Sequence, residues 1–262
     1  MQNSPLVFII ILNWNSCEDT IICINSCRAL LYPNFRILVV NNNSTDESES
    51  KIRKHFPNIE FIQSNANLGY AGGNNLGICY ALKKGAEFIW IINPDIIVTK
   101  NSLSLLVETL KKDPCIGICG PRIIQKTLPA IFCFDGISIY PDKGYEIKFN
   151  DKGYHIKPDA VKDWLVKASP EPLNVDIVSG CSILIRSKML GDTGLIREDF
   201  FLYYEDADLA FRARNHGWRT VICSQAAVFH RWNLKERYAS TYPYVERSRI
   251  IFARIQKKYI LK

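Results

Sequence analysis

Three kinds of stretch alternate along the first half of this chain. Short runs of four to six apolar residues come first, at Val7–Leu12, 37–40 and Phe88–Ile92. Polar or amphipathic segments of helical length follow, and clusters of Asn, Ser, Asp and Gly stand between them. A run such as Phe88-Ile89-Trp90-Ile91-Ile92 is too uniformly apolar for a half-exposed strand and predicts a central strand buried on both faces. The pattern predicts strands at Val7–Leu12, 36–40, 59–63 and Phe88–Ile92. Helices are predicted from Ser16 to about Leu30, at 47–55 and through the segment after Gly69. Ser16-x-x-Asp19 reads as a capping box for the first of these. Strands alternating with helices predict βαβ units: an α/β fold with a mostly parallel sheet and flanking helices.

Beyond Asp95 an amphipathic helix is predicted at 102–111 and a short strand at 116–124. Residues 125–172 carry five prolines and alternating aromatics. They predict a small antiparallel acceptor-side region with a long loop, a lid or acceptor-facing insertion. Val175–Ile185 predicts strand–turn–strand with its bend at Ser179-Gly180. A helix from Glu205 to about His216 is ended by Gly217. A strand at 220–223 and a short extended piece at 228–230 follow. Tyr244, Arg247, Ile250, Ile251 and Arg254 fall at helical spacing, predicting a basic amphipathic C-terminal helix.

Composition is ordinary for a globular chain of 262 residues, 47% hydrophobic and 23% charged. No apolar run reaches the length of a membrane span, and no positive region precedes Val7–Leu12, so no signal peptide is expected and the protein is expected in the cytoplasm. The nine cysteines lack CxxC pairs and read as buried, reduced thiols. The formal charge of +7 changes the picture through its placement. Residues 231–262 hold nine Lys/Arg against two Asp/Glu, and the remainder carries 24 of each sign. A basic, aromatic tail on a neutral body suits an anionic surface, here the inner membrane face, and would make the protein peripheral there. The tail carries no recognised DNA- or RNA-binding module, so no nucleic-acid partner is expected.

Candidate chemistry sits at strand ends. Pro94 stops the Phe88–Ile92 strand and leaves Asp95 at its carboxyl end, where open α/β sheets bind ligands. A carboxylate there suits Mg2+ or Mn2+, and the cation suits a diphosphate; Asn93-Pro94-Asp95 is also an ordinary turn composition. Glu205, Asp206 and Asp208 crowd one helical turn behind Phe200, Phe201, Tyr203 and Tyr204. Acids there complement the helix dipole; their mutual repulsion beside aromatics also raises a carboxyl toward the range of a general base. His230 ends an apolar stretch, a place equally suited to a core histidine. Gly69, Gly72 and Gly73 do not form the GxGxxG fingerprint after the first strand.

Four blocks in order are similar to the family 2 inverting glycosyltransferases with the A-type nucleotide-diphospho-sugar fold, GT-A, and to the rhamnosyltransferase-like branch in particular. They are Asn13-Trp14-Asn15; VVNNNSTDES; NANLGYAGGNNLGICYALKKGAEFIWIINPD; and FFLYYEDADLAFRARNHGW with VFHRW. The resemblance covers nearly the whole chain except 125–172. It implies a catalytic domain over 1–230, with a nucleotide-sugar-binding half at 1–124 and an acceptor-side half at 125–230, followed by the basic segment 231–262. It implies Asp95 and His230 as metal ligands for Mg2+ or Mn2+, Asp206 as catalytic base and Glu205 as its support. Asn13, Asn15, Asn41, Asn42, Ser44, Asn67, Gly69, Gly72, Gly73, Asn74, Asn93 and Gly180 would line the nucleotide-sugar site. Asn41 stands where the family commonly has Asp, and Arg197-Glu198 where it often has Asp-Glu.

The implied reaction moves rhamnose or another hexose from a dTDP- or UDP-sugar donor to a glycan or lipid-linked acceptor in cell-surface polysaccharide synthesis. The rivals are an inactive nucleotide-sugar-binding scaffold and a nucleotidyltransferase. The second would need a glycine-rich basic loop after the first strand, and Asn13-Trp14-Asn15-Ser16 offers none.

Overall fold

The four strands that hydropathy predicts in the first half form, and they pair in parallel. In a computed structural model describing residues 4–127, 130–138, 150–156, 168–231 and 234–260, they are β1 (Val7–Asn13), β2 (Phe35–Asn41), β3 (Glu60–Gln63) and β4 (Phe88–Ile92). The helices between them are α1 (Cys17–Arg28), α2 (Ser48–His55) and α3 (Gly69–Lys83). The strand order is β3-β2-β1-β4. The chain first steps outward from β1, and α3 then carries it back to β4 on the other side. The direction therefore reverses between β1 and β4, the kind of crevice where such sheets take ligands. The register Ile9↔Trp90 and Ile11↔Ile92 brings Asn13 and Asn93 to the same edge.

The second half makes the sheet mixed. Its elements are β5 (Ile96–Val98), α4 (Ser102–Lys112), β6 (Ile116–Thr127), β7 (Ala130–Ser138), β8 (Asn150–Ile156), β9 (Leu173–Asn174), β10 (Ser182–Arg186), α5 (Ser187–Thr193), α6 (Glu205–Asn215), β11 (Arg219–His230) and α7 (Leu234–Ile260). β10 runs antiparallel between β4 and β6, and β11 lies parallel to β6 but antiparallel to β5. The parallel arrangement thus holds for β1–β4 and gives way at β10, which follows a tight turn and not a helical crossover. β7 and β8 extend β6 as an antiparallel ribbon; the rest of the expected lid or acceptor-facing insertion at 125–172 lies mostly outside the described residues.

Strand alternation sorts the core into two layers. Val7, Ile9 and Ile11 face Cys23, Ile24, Leu106 and Leu110 of α1 and α4, while Phe8 and Ile10 face Ile78, Leu209 and Phe252 of α3, α6 and α7. Helices cover both faces, which is why β1 and β4 read as unbroken apolar runs.

Several local expectations change. Ser16 does not close a capping box on α1; its hydroxyl donates to the Trp14 carbonyl. Residues 175–178 do not form the first arm of a strand–turn–strand element; the preceding strand is the two-residue β9. The pieces at 220–223 and 228–230 are one strand, β11, with a register shift between Cys223 and Ala227. Such a bulge breaks the hydropathy pattern without ending the strand. Of the eight described cysteines, all free thiols, five are buried, while Cys79 and Cys115 are exposed.

Candidate functional site

Strand pairing alone brings the acidic groups together. Ser182 pairs with Ile92, so the Ser179–Cys181 turn ahead of β10 lies beside Asn93, whose N–H donates to the Cys181 carbonyl over 2.9 Å. On the other side of that turn, the Gly180 N–H donates to Asp206 Oδ2 over 3.0 Å. Asp95 and Asp206 thus flank one turn. Both also bear on the same thiol: Cys181 is pushed up to about 12, first by burial and then by the charges of Asp95 and Asp206. β11 supplies the third group. His230 pairs with Ile96, which sets its Nε2 3.3 Å from Asp95 Oδ2. The Arg231 N–H donates to the Asp95 carbonyl, and its guanidinium meets Asp19.

Asp95 is 5% exposed. A carboxylate suits a hard cation, and an imidazole beside it favours a transition ion such as Mn2+ over Mg2+. Among the described residues no group of three or more His, Cys, Asp and Glu side chains converges. The described residues therefore offer two donors, Asp95 and His230, and ligand or water oxygens could supply further positions. That set fits a cation shared with a diphosphate.

The base candidates sit at the N-terminus of α6. Tyr203 and Tyr204, just before it, have φ of 70° and 67°. Left-handed backbone costs a non-glycine residue about 1–2 kcal/mol, so the surroundings must hold this turn. They do. The Tyr204 ring lies 5.6 Å from that of Phe252, Tyr244 stacks on Phe201 at 5.3 Å, and the Ser248 hydroxyl donates to the Leu202 carbonyl. Glu205 is 5% exposed, and its carboxyl is raised well above the usual range by burial and then by Asp206. Asp206 is also raised by burial, but the N–H groups of Gly180 and Ala207 stabilise its charged form and oppose the rise. Asp208 leaves the acidic group: fully buried, it pairs with Arg212 at 2.7 Å and Arg197 at 3.4 Å. The crowded turn holds two competing acids, not three.

The asparagines occupy two levels. Asn13 and Asn41 lie beneath the rim. Asn13 Nδ2 donates to Asn41 Oδ1, Asn41 Nδ2 donates to Gln63, and the Ser44 hydroxyl donates to Asn41 Oδ1 over 2.6 Å. Asn15, with φ of 49°, folds the loop by accepting the Thr45 N–H, and Trp14 beside it is 52% exposed. Asn42 ties down the glycine-rich turn: it donates to the Gly69 carbonyl and to Asn67 and accepts the Leu68 N–H. Gly69 has φ of 68°, and a Cβ there would strike the Phe201 carbonyl. Gly73 packs on Leu12 and Asn42, Gly72 lies near Leu68 and Glu198, and Asn74 is buried with its amide on the Tyr70 carbonyl. Asn15, Ser44, Asn67, Asn93, Asp95 and His230 lie at or just past the carboxyl ends of β1, β2, β3, β4 and β11, with Gly180 and Asp206 beside them.

Residues 8–130 match the family model described as Glycosyl transferase family 2. That stretch resembles a family 2 glycosyltransferase domain. Over 89% of its length it is 27% identical to the low-salt glycan biosynthesis hexosyltransferase Agl10 of Haloferax volcanii, covering 70% of that protein. Over 74% it is 28% identical to the N-acetylglucosaminyl-diphospho-decaprenol L-rhamnosyltransferase of Mycobacterium tuberculosis, covering 66% of it. The fold is the A-type glycosyltransferase fold. GalNAc-T7 with UDP, GalNAc and Mn2+ superposes with a TM-score of 0.64 at 14% identity, over 90% of this chain and 45% of that one. The mannosyltransferase PcManGT of Pyrobaculum calidifontis with GDP-Man and Mn2+ gives 0.62 at 16% identity, over 91% and 60%. The chain therefore spans about half to two thirds of most of these proteins.

Sequence reasoning missed three contributors to the candidate site. Tyr70 hydrogen-bonds Gly180 across the crevice. Asn75 clasps Ile196 at both its N–H and its carbonyl, and donates to Glu198. Arg212 neutralises Asp208, and only this pair left a signal, its i,i+4 spacing.

Proposed function

We propose that this chain is a metal-dependent inverting glycosyltransferase. It moves a hexosyl or rhamnosyl group from a nucleoside-diphosphate sugar, UDP- or dTDP-linked, to a glycan or lipid-linked acceptor. The observation that carries this reading is the pair of acids, Asp95 and Asp206, on either side of the Ser179–Cys181 turn at the β1/β4 crevice. Asp95 and His230 would hold Mg2+ or Mn2+, which when bound offsets the charge developing on the leaving diphosphate. Asp206 takes the proton of the acceptor hydroxyl as its oxygen bonds to the anomeric carbon and the bond from that carbon to the diphosphate oxygen breaks. The attack comes from the opposite face, so configuration inverts and no covalent enzyme intermediate forms. Burial raises the Glu205 carboxyl well above the usual range, further than the amide-supported Asp206, which favours Asp206 as the base of the two.

The relatives support the substrate classes: one acts on a diphospho-decaprenol acceptor by name, and two structural neighbours were crystallised with UDP or GDP-Man and Mn2+. The exposed cations Arg247 and Arg254 on α7, beside Ile250, support a peripheral site at the cytoplasmic face of the inner membrane. Among the described residues no helix is long and apolar enough to cross a membrane.

A thermal-shift panel of nucleotide sugars with Mg2+ or Mn2+ identifies the donor, and turnover of that donor tests the mechanism. Asp206→Asn is expected to lower kcat by about 10²–10⁴-fold with nucleotide affinity retained. Near-normal turnover refutes the base assignment.

A further inference from the structure

Gly180 is held at both ends of its peptide environment. Its N–H donates to Asp206 Oδ2 over 3.0 Å, and its carbonyl accepts the hydroxyl of Tyr70. Tyr70 is the second residue of α3, and its own N–H donates to the Phe201 carbonyl over 2.7 Å. Tyr70 thus ties the glycine-rich turn to two segments near Asp206, one through Phe201 and one through Gly180. A Cβ on Gly180 would lie 3.1 Å from the Tyr70 hydroxyl and 3.5 Å from Asp206 Oδ2. A methyl group there would press on the Tyr70 hydroxyl and touch Asp206, so the hydroxyl must give by a few tenths of an ångström.

We propose that Tyr70 is a positioning residue for Asp206: its hydroxyl fixes the Gly180 carbonyl, and the Gly180 N–H in turn fixes and stabilises the Asp206 carboxylate. The proposal deepens the reading of Asp206 as base and rests on it for its catalytic consequence. The hydroxyl stays a donor throughout, because burial first, then Glu205, Asp206 and Cys181, raise its ionisation well above the usual tyrosine range. The groups that bear on Asp206 are Glu205 on its own helix, Tyr204 just ahead of that helix, Tyr70 on α3, and Cys181 in the turn, with Asp95 beyond it. The Gly180, Ala207 and Asp206 amides oppose burial, Gly180 foremost, so a loosened Gly180 removes the largest of three such donors.

The test is a 13C NMR titration of the Asp206 carboxyl, assigned by its loss in Asp206→Asn and run on wild type, Tyr70→Phe and Gly180→Ala. Both variants are expected to titrate higher by about one pH unit, since a carboxylate that loses an amide donor binds its proton more tightly. An unchanged titration in a folded Tyr70→Phe overturns the proposal, whether or not any sugar is transferred. Where a donor is turned over, the acidic limb of the kcat profile of Tyr70→Phe should rise by the same amount with KM for the donor unchanged. If the titration moves and that limb does not, Tyr70 still positions Asp206 and the base assignment alone fails.

Discussion

Phe252→Ala tests whether the C-terminal helix is part of the catalytic body. Phe252 is 3% exposed and sits among three aromatic rings, with centroids at 5.5 Å for Phe211, 5.6 Å for Tyr204 and 6.5 Å for Phe200. Removing a buried phenyl group costs about 3–5 kcal/mol, because the cavity collapses only in part. In a chain of this size each kcal/mol moves the melting temperature by roughly 2–4 °C, so a fall of about 10 °C is expected by scanning calorimetry. The neighbourhood sharpens the outcome. Tyr204 is one of two residues in left-handed backbone at the entrance to α6, and Phe252 covers it. With that cover gone, the turn can relax by the roughly 1–3 kcal/mol stored at each residue. Turnover should then fall further than the folded fraction does, while Phe252→Leu, which retains most of the volume, should lose less of both. A melting point within about 2 °C of wild type for Phe252→Ala would show that α7 only rests on the domain.

Glu205→Gln should raise stability at neutral pH. The Glu205 carboxyl is raised well above the usual range in the fold, so the folded state binds more protons than the unfolded one between the ordinary and the raised value. Stability then declines as pH climbs through that window, and a neutral amide is spared the loss. The advantage should shrink toward acid pH, and a variant less stable than wild type at pH 7 refutes the account. Asp95→Ala should abolish the gain in UDP or dTDP affinity that Mn2+ confers on wild type, measured by titration calorimetry; an intact gain removes Asp95 from the metal site. Reversing charge at the exposed Arg247 and Arg254 should weaken binding to anionic vesicles by at least tenfold at about 1 kcal/mol per cation, with the melting point unmoved. Binding that survives both reversals counts against a membrane role for α7.

The elements most legible in the sequence were those whose environment is uniform. β1 and β4 are buried on both faces, so five apolar residues in a row could mean little else. Gly217, with φ of 80°, ended α6 as a C-terminal glycine should. β10 was harder, because whether a strand enters parallel or antiparallel depends on partners some 90 residues away and leaves no mark in its own pattern. The bulge in β11 made one strand look like two. At the site, the acids were visible as residue types at strand and helix ends, but their surroundings were not. Asn13, Asn41 and Asn42 have the same amides as Asn15 and Asn67, and only the structure separates the first three, buried, from Asn15, which is exposed while it folds its loop. Tyr70 passed as one more aromatic in a glycine-rich run, because its partner lies 110 residues downstream.

The docking of α7 has a consequence during synthesis. Domains assemble as the chain emerges, amino-terminal parts first. The crevice edge built by β1 to β4 can form early. The turn bearing Asp206, however, waits for Ser248 and Phe252, which leave the ribosome more than forty residues later. A nascent chain would thus carry a nearly finished β1–β4 edge beside an unfastened Asp206 turn, and the two would come into register only with the last helical turns.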